Sequence, residues 1–309
     1  MDAESVEAPF SGVILVSRGD ETLVAEASGY AHIAHGIENT VDTRFAIASG
    51  TKGFTALVVV GLVAEGRLEL STKARDVLGD DLPLIDDRVT VEHLLTHTSG
   101  IGDYCDEDGD PPPTPLLATS ADYLAALDGY PQKFPPGERF NYNNGAFAVL
   151  SLIAERVAGI PFAELVRTRV TEPAGMADTA FLRSDALPAR TATGYLEDGR
   201  TNVFSLPVVG FGDGGIYSSA PDFRKFWPAF LDGRIVPREW VDRMLRGDGY
   251  GLGFFLPRPG VVRLEGGDHG VTFRSNHQPS SGVTATLISN DHRGGGPLLK
   301  QLDEYLTKA

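Results

Sequence analysis

The chain has a single cysteine, Cys105, in 309 residues. No internal disulfide can form, so stability must come from a packed core. The cysteine sits in the acidic stretch Tyr104-Cys105-Asp106-Glu107-Asp108, where neighbouring carboxylates raise a thiol pKa. That argues against a nucleophilic cysteine. Basic residues are also scarce. Lys and Arg total 27 against 42 Asp and Glu, for a net charge of −15. Nucleic-acid recognition needs clustered basic side chains, and anionic membrane surfaces attract them. Both partners are therefore disfavoured. Long apolar runs are missing too, since no segment reaches the roughly 18–20 residues of a membrane span. The acidic start, Met1 to Glu7, lacks a basic stretch followed by an apolar run. It does not read as a signal peptide, and a cytoplasmic location is expected.

What is present is ordinary for a soluble globular protein: 42% hydrophobic and 22% charged residues. The length allows one large domain or two lobes. Phe10 to Val16 and Glu21 to Ala27 read as strands joined by a turn at Gly19-Asp20. Ser49 to Glu65 reads as a buried helix, stopped by Gly66. Residues 70–205 read as mainly helical. Within them are helices at Val91 to Thr96, Asn144 to Val157 and Phe162 to Thr168, and a Pro/Asp-rich loop or flap over 105–115. Strand signals return at Gly251 to Leu256, Val261 to Leu264, Thr272 to Asn276 and Val283 to Ser289. Pro297 to Lys308 reads as a closing helix. Strands at both ends with helices between predict an α+β fold. One antiparallel sheet, flanked by helices, is built from residues 1–70 and 205–309. A mainly helical lobe over 71–204 is inserted in it.

The chemistry centres on Ser49-Gly50-Thr51-Lys52 at the start of the buried helix. A serine and a lysine three residues apart share a helix face, one turn from each other. Serine needs a base to act as a nucleophile, and a lysine whose pKa is lowered by burial can be that base. S-x-x-K marks serine acyl-transfer enzymes. On its own it also fits a capping serine followed by a surface lysine. His93 and His97 have the i, i+4 spacing of two metal ligands. However, Leu94 stands where a zinc protease helix carries its glutamate, and no third ligand is apparent. No metal or cofactor is expected.

Further blocks follow in order. They are Phe45 to Lys52, Val91 to Ile101, Pro136 to Asn144 (with Tyr142-Asn143-Asn144), Gly212 to Ser219 and Tyr250 to Phe254. In this order they resemble the penicillin-recognising serine hydrolases: class C β-lactamases, serine D-Ala-D-Ala carboxypeptidases and their esterase relatives. The resemblance runs nearly end to end. It implies a β-lactamase/transpeptidase-like fold and hydrolysis of an amide or ester, in a small molecule or peptide, through a covalent acyl-enzyme. It implies Ser49 as nucleophile, Lys52 as its base partner and Tyr142 as a second proton carrier. Asn144 would bond Lys52 and the substrate. His93 and His97 would be packing and loop-bracing groups, and Gly214-Gly215 a tight turn.

The family's third motif, Lys-Thr-Gly or His-x-Gly, is altered. The segment here is Glu265-Gly266-Gly267-Asp268-His269-Gly270-Val271. Anchoring on Gly270, as the glycine that lets the strand approach the nucleophile, puts Asp268 at the cationic position and Val271 in the oxyanion hole beside Ser49. Sliding by one places His269 there and loses the glycine. An Asp at that position repels a substrate carboxylate and favours neutral or cationic groups. Arg274 on the same strand is a candidate compensating cation. The alternatives are that Asp268 is only a turn residue, and that the protein is a catalytically silent sensor or scaffold.

Overall fold

The computed structural model describes residues 10–105, 116–291 and 295–308. Most of the Pro/Asp-rich loop expected over 105–115 lies outside these residues. The strands are β1 (Gly12–Arg18), β2 (Glu21–Ser28), β3 (Tyr30–His32), β4 (Ile37–Glu38), β5 (Arg44–Ala46), β6 (Ala180–Phe181), β7 (Ile216–Ser219), β8 (Gly249–Tyr250), β9 (Phe255–Arg258), β10 (Val261–Asp268), β11 (Val271–Gln278) and β12 (Val283–Ser289). The helices are α1 (Thr51–Ala64), α2 (Ala74–Leu78), α3 (Val91–Leu95), α4 (Ser120–Leu127), α5 (Asn144–Ala158), α6 (Phe162–Val166), α7 (Glu172–Ala174), α8 (Ala220–Leu231), α9 (Arg238–Met244) and α10 (Gly295–Lys308).

Seven strands form one antiparallel sheet in the order β2-β1-β12-β11-β10-β9-β8. The first and last of the long strands pair along their whole length, from Gly12 opposite Ser289 to Arg18 opposite Val283. The sheet thus joins an early strand to a late one inside it, and the fold is α+β as expected. A three-stranded sheet, β5-β7-β6, joins the segment before the nucleophile to two distant parts of the chain. These short strands carry too few residues for a sequence pattern to show.

Helix α1 is the centre of the core. Every residue from Thr51 to Val60 is buried, polar ones included. A helix apolar all round must be enclosed on every side. Phe54 stacks on Phe226 at 5.3 Å, and Phe273 from β11 lies 4.8 Å from Phe223. Fully burying one such phenylalanine contributes about 1.5–3 kcal/mol of transfer free energy. The one buried indole N–H, on Trp227, donates to Ser275 Oγ at 2.9 Å, so the core leaves this donor satisfied.

One expected strand is broken. Gly251 to Leu256 is not continuous: Gly251 to Phe254 form a tight connection, with Gly251 N–H donating to Phe254 O at 2.9 Å. Gly253 has φ +82°, and a Cβ there would lie 2.3 Å from Ala56 Cβ. The bend lets the chain pass against α1 and carries Phe254 into the core, where it stacks on Phe230 at 4.8 Å.

Candidate active site

Ser49 lies in a 3-10 turn, Ala48–Gly50, between β5 and α1. β5 is held by β7, and Ile47 N–H donates to Ile216 O at 2.9 Å. Ala48 is forced to φ +43°, a left-handed conformation that costs a non-glycine residue of order 1–3 kcal/mol. The strain falls one residue before the serine. Thr51 and Thr55 tie the facing loop to the helix: Ile216 N–H donates to Thr51 Oγ1 at 3.1 Å, and Thr55 Oγ1 donates to Gly212 O at 2.6 Å. The loop between them presents Asp213. Gly214 and Phe211 close a tight turn with reciprocal backbone bonds of 2.9 and 3.3 Å, and Gly215 adopts φ +99°. This is the turn expected of that glycine pair.

Lys52 is 2% exposed, and its three N–H groups have three acceptors. Nζ donates to Ser49 Oγ at 3.0 Å, Asn144 Oδ1 at 2.8 Å and Asp213 O at 2.7 Å. The same ammonium lies 4.9 Å from the centroid of the Tyr142 ring. The structure therefore gathers Ser49, Lys52, Tyr142 and Asn144 in one place. In this fully donating state Lys52 holds Ser49 Oγ by a charge-assisted bond. It can accept the serine's proton only after giving up one of its own.

The Tyr-x-Asn block is fixed by residues far away in sequence. Asn143 is the N-cap of α5, accepting from Ala146 N–H at 2.6 Å. Its Nδ2 donates to Ile101 O at 2.9 Å. The two asparagines thus divide the work: Asn143 caps the helix, and Asn144 reaches Lys52. Asp103 sits across the helix N-terminus, where Asn144 N–H donates to Oδ2 at 2.6 Å and Gly145 N–H to Oδ1 at 3.1 Å. A carboxylate there is stabilised by the free N–H groups and the helix dipole.

His97 is fully buried against the Tyr142 ring, with centroids 4.3 Å apart. Its Nδ1 accepts from Asn143 N–H at 3.0 Å. An accepting Nδ1 leaves the proton on Nε2, which faces Tyr250 Oη at 3.2 Å. Burial, reinforced by the Lys52 charge, pushes the imidazole pKa down to about 3. His93 Nδ1 accepts from Thr90 N–H at 3.3 Å in a capping box. Both histidines thus have bracing roles. Among the described residues no three His, Cys, Asp or Glu side chains gather as a metal site.

Asp213 turns its carboxyl inward to a short bond from Tyr104 Oη. Burial pushes that carboxyl up, against the pull of the Lys52 charge. Desolvation first, then the charges of Asp213 and Asp103, push the Cys105 thiol well up. A thiol so disposed is a poor nucleophile at neutral pH.

Two cavities meet at Ser49. The larger, about 810 Å³, is walled by Tyr104, Tyr123, Tyr217, Phe204, Asp213 and Asp268, among others, with no Lys or Arg among the described residues of its lining. The smaller, about 460 Å³, is walled by Phe255, Leu299, Glu265, Gly266, Gly267 and Arg274, among others. Ser49 and Tyr142 line both.

The third motif differs in detail from the sequence expectation. Asp268 ends β10, and His269-Gly270 is the two-residue turn into Val271. Asp268, His269 and Val271 line the larger cavity. Gly270 does not approach the nucleophile. It has φ +65°, and its Cβ position is blocked by the Tyr195 backbone N at 2.6 Å. The glycine that meets the nucleophile is Gly266, where a Cβ would stand 2.3 Å from Ile47 O and 2.6 Å from Ser49 N. The Gly266-Gly267 pair inside a strand was the available signal for a close backbone approach. Anchoring there brings in Glu265, which sequence reasoning missed. Arg274 lines the smaller cavity and is paired with Glu265 at 3.0 Å and Asp303 at 3.0 Å.

The beta-lactamase family model matches residues 5–298. A penicillin-binding protein structure from Bacillus halodurans is 36% identical, with TM-score 0.89 over 96% of both chains. A D-aminopeptidase of Brucella anthropi is 32% identical over 85% of this chain, which spans 52% of that protein's length. Esterase EstB of Burkholderia gladioli is 30% identical, covering 78% of this chain and 74% of its own. The resemblance read from the motif order therefore holds along almost the whole sequence, and the chain belongs to the beta-lactamase family, with penicillin-binding, D-aminopeptidase and esterase relatives.

Proposed function

We propose that the protein is a serine acyl hydrolase that cleaves esters or amides lacking a free carboxylate near the scissile bond. The observation that carries the reading is the bond of 3.0 Å from Lys52 Nζ to Ser49 Oγ, inside a shell that also fixes Asn144 and the Tyr142 ring. In the acylation step Ser49 Oγ attacks the carbonyl carbon. The Lys52–Tyr142 pair, having first released one proton to solvent, takes the serine's proton and returns it to the departing alkoxide or amine. Water then attacks the acyl-enzyme, freeing the acid and restoring the Ser49 hydroxyl. The Ser49 N–H and an N–H from the β10 segment that Gly266 brings against the nucleophile backbone would hold the oxyanion. Asn144 Oδ1 holds Lys52, and the side chain is placed to meet a substrate amide or ester.

The preference against carboxylates rests on the larger cavity. Among the described residues its lining carries no guanidinium or ammonium, while Asp268 faces it. Desolvation pushes the Asp268 carboxyl up, partly offset by the His269 N–H it accepts and by the distant Lys52 charge. A substrate carboxylate entering this cavity meets the Asp268 carboxyl and, among the described lining residues, no guanidinium or ammonium to pair with.

The test is labelling and turnover together. A fluorophosphonate probe should label the wild type and leave Ser49→Ala unlabelled. p-Nitrophenyl butyrate hydrolysis should fall by at least about 10³-fold in that variant. Cephalosporin hydrolysis greatly outpacing ester hydrolysis would remove the substrate assignment. Absence of any Ser49-dependent adduct would remove the enzyme assignment.

A further inference from the structure

The smaller cavity is unlike the larger one. At its wall stands a cluster of two arginines and two carboxylates from three elements. Arg274 Nε and Nη2 both reach Glu265 Oε2 at 3.0 Å, and its Nη1 donates to Asp303 Oδ2 at 3.0 Å. Arg263 Nη2 donates to Asp303 Oδ1 at 2.6 Å, its Nε to Asn276 Oδ1 at 2.7 Å, and its Nη1 lies 3.4 Å from Glu265 Oε2. The arginine side chains are only 13% and 19% exposed. Glu265 and Arg274 are cross-strand partners, and both reach the cavity that holds Ser49 and Tyr142.

The position of Glu265 gives the cluster its meaning. Gly266, the next residue, is the one pressed against the Ser49 backbone. Strand alternation then places Glu265 and Gly267 on one face of β10, and both line the cavity. Arg274, its side chain only 19% exposed, would be a ready anion receptor. Glu265 occupies that guanidinium. Glu265 cancels the charge that Arg274 would otherwise present to the cavity.

We propose that the smaller cavity is a second substrate subsite and that Glu265 sets its charge preference: by neutralising Arg274 it keeps carboxylate-bearing substrates out and admits neutral ones. The assignment rests on the hydrolase reading only in taking Ser49 as the point where the two halves of the substrate meet. Glu265 is a specificity determinant here, with no part in proton transfer.

The experiment compares binding of 3-acetoxybenzoate and its methyl ester, a pair differing in one charge. Calorimetry in a Ser49→Ala background reads affinity without turnover, so it stands even if the hydrolase assignment fails. Glu265→Gln should tighten binding of the acid relative to the ester by about tenfold, which is about 1.4 kcal/mol. Adding Arg274→Gln should return the ratio to its starting value. Thermal melting of each variant guards against a collapsed site, since the glutamine is isosteric and keeps the strand pairing. An unchanged acid-to-ester ratio in a folded Glu265→Gln protein overturns the proposal. So does a gain that survives the loss of Arg274, or failure of the acid to bind at all once Glu265 is neutral.

Discussion

The two walls of the cleft are built on opposite terms. On the α1–α5 wall, the polar groups around the nucleophile answer one another. Lys52 has an acceptor for each proton, Asn143 and Asp103 close the α5 N-terminus, and His97 bonds through both ring nitrogens. On the β10–β11 wall, charges face the cavities, with Asp268 toward one and the Glu265–Arg274 pair toward the other. The first wall is a preorganised chemical device, which costs little reorganisation when charge develops. In the proposed reading, the second is where a substrate's charge is read. Changes to the first should lower every turnover alike, and changes to the second should redistribute turnover among substrates.

The largest effect tests the first half of that contrast. Lys52→Met removes the ammonium but keeps much of the buried volume. It leaves Ser49 Oγ, Asn144 Oδ1 and Asp213 O without their shared donor. Loss of a positioned proton carrier typically costs 10²–10⁴-fold, and a fall in kcat near the upper end, about 10³-fold or more, is expected. The fall should be equal for acidic and neutral substrates. A variant that loses activity toward one class only would merge the two walls into one function.

The next effect is on stability and belongs to the same wall. His97 is held neutral in the fold, with a pKa near 3 against an ordinary value of 6.5. Below pH 6.5 the unfolded chain takes up a proton that the folded one refuses until about pH 3. Stability is therefore full above pH 6.5 and is lost as pH falls through that window. At pH 4 the loss from this residue is about 3 kcal/mol. His277, pushed by burial to about 4, adds in the same direction. Urea unfolding at pH 7, 5.5 and 4 should show the slope, and His97→Gln should flatten it while lowering stability at pH 7. A variant with the wild-type slope would remove His97 as the cause.

How much of this was legible follows from distance along the chain. Ser49 and Lys52 are three residues apart on a helix whose apolar length announces burial, so their meeting is local geometry. The long strands at both ends declared one sheet through their alternation. Tyr142 and Asn144 came from motif order, and the structure confirms that Asn144 Oδ1 is within bonding reach of Lys52. What stayed hidden is non-local or carried by backbone. The acceptor at Asp213 is a carbonyl, which no side-chain pattern marks. Asp103 braces α5 across about forty residues of sequence, through a register that only the fold sets. Gly270 was the wrong glycine because motif spacing cannot separate a turn glycine from one pressed against a neighbouring backbone; a difference of four positions in the hairpin moved the third motif and exposed Glu265.

The smallest effect sharpens the contrast within the second wall. Asp268 is opposed to no arginine or lysine among the described residues of its cavity, whereas Glu265 is locked to Arg274. Neutralising the first removes a repulsion only; neutralising the second also releases a cation. Asp268→Asn should therefore raise kcat/KM for benzylpenicillin relative to p-nitrophenyl butyrate by no more than about fivefold, close to 1 kcal/mol. The gain should shrink as salt rises, because the carboxylate borders a solvent-filled cavity and is screened within about 10 Å at 0.1 M. The Glu265→Gln gain, which creates a direct guanidinium–carboxylate contact with an arginine side chain only 19% exposed, should resist salt better. Measuring both variants at 50 and 500 mM salt separates a long-range field from a contact. Equal salt sensitivity would mean that the two carboxylates act through one common field and that the two cavities are not distinguished by charge.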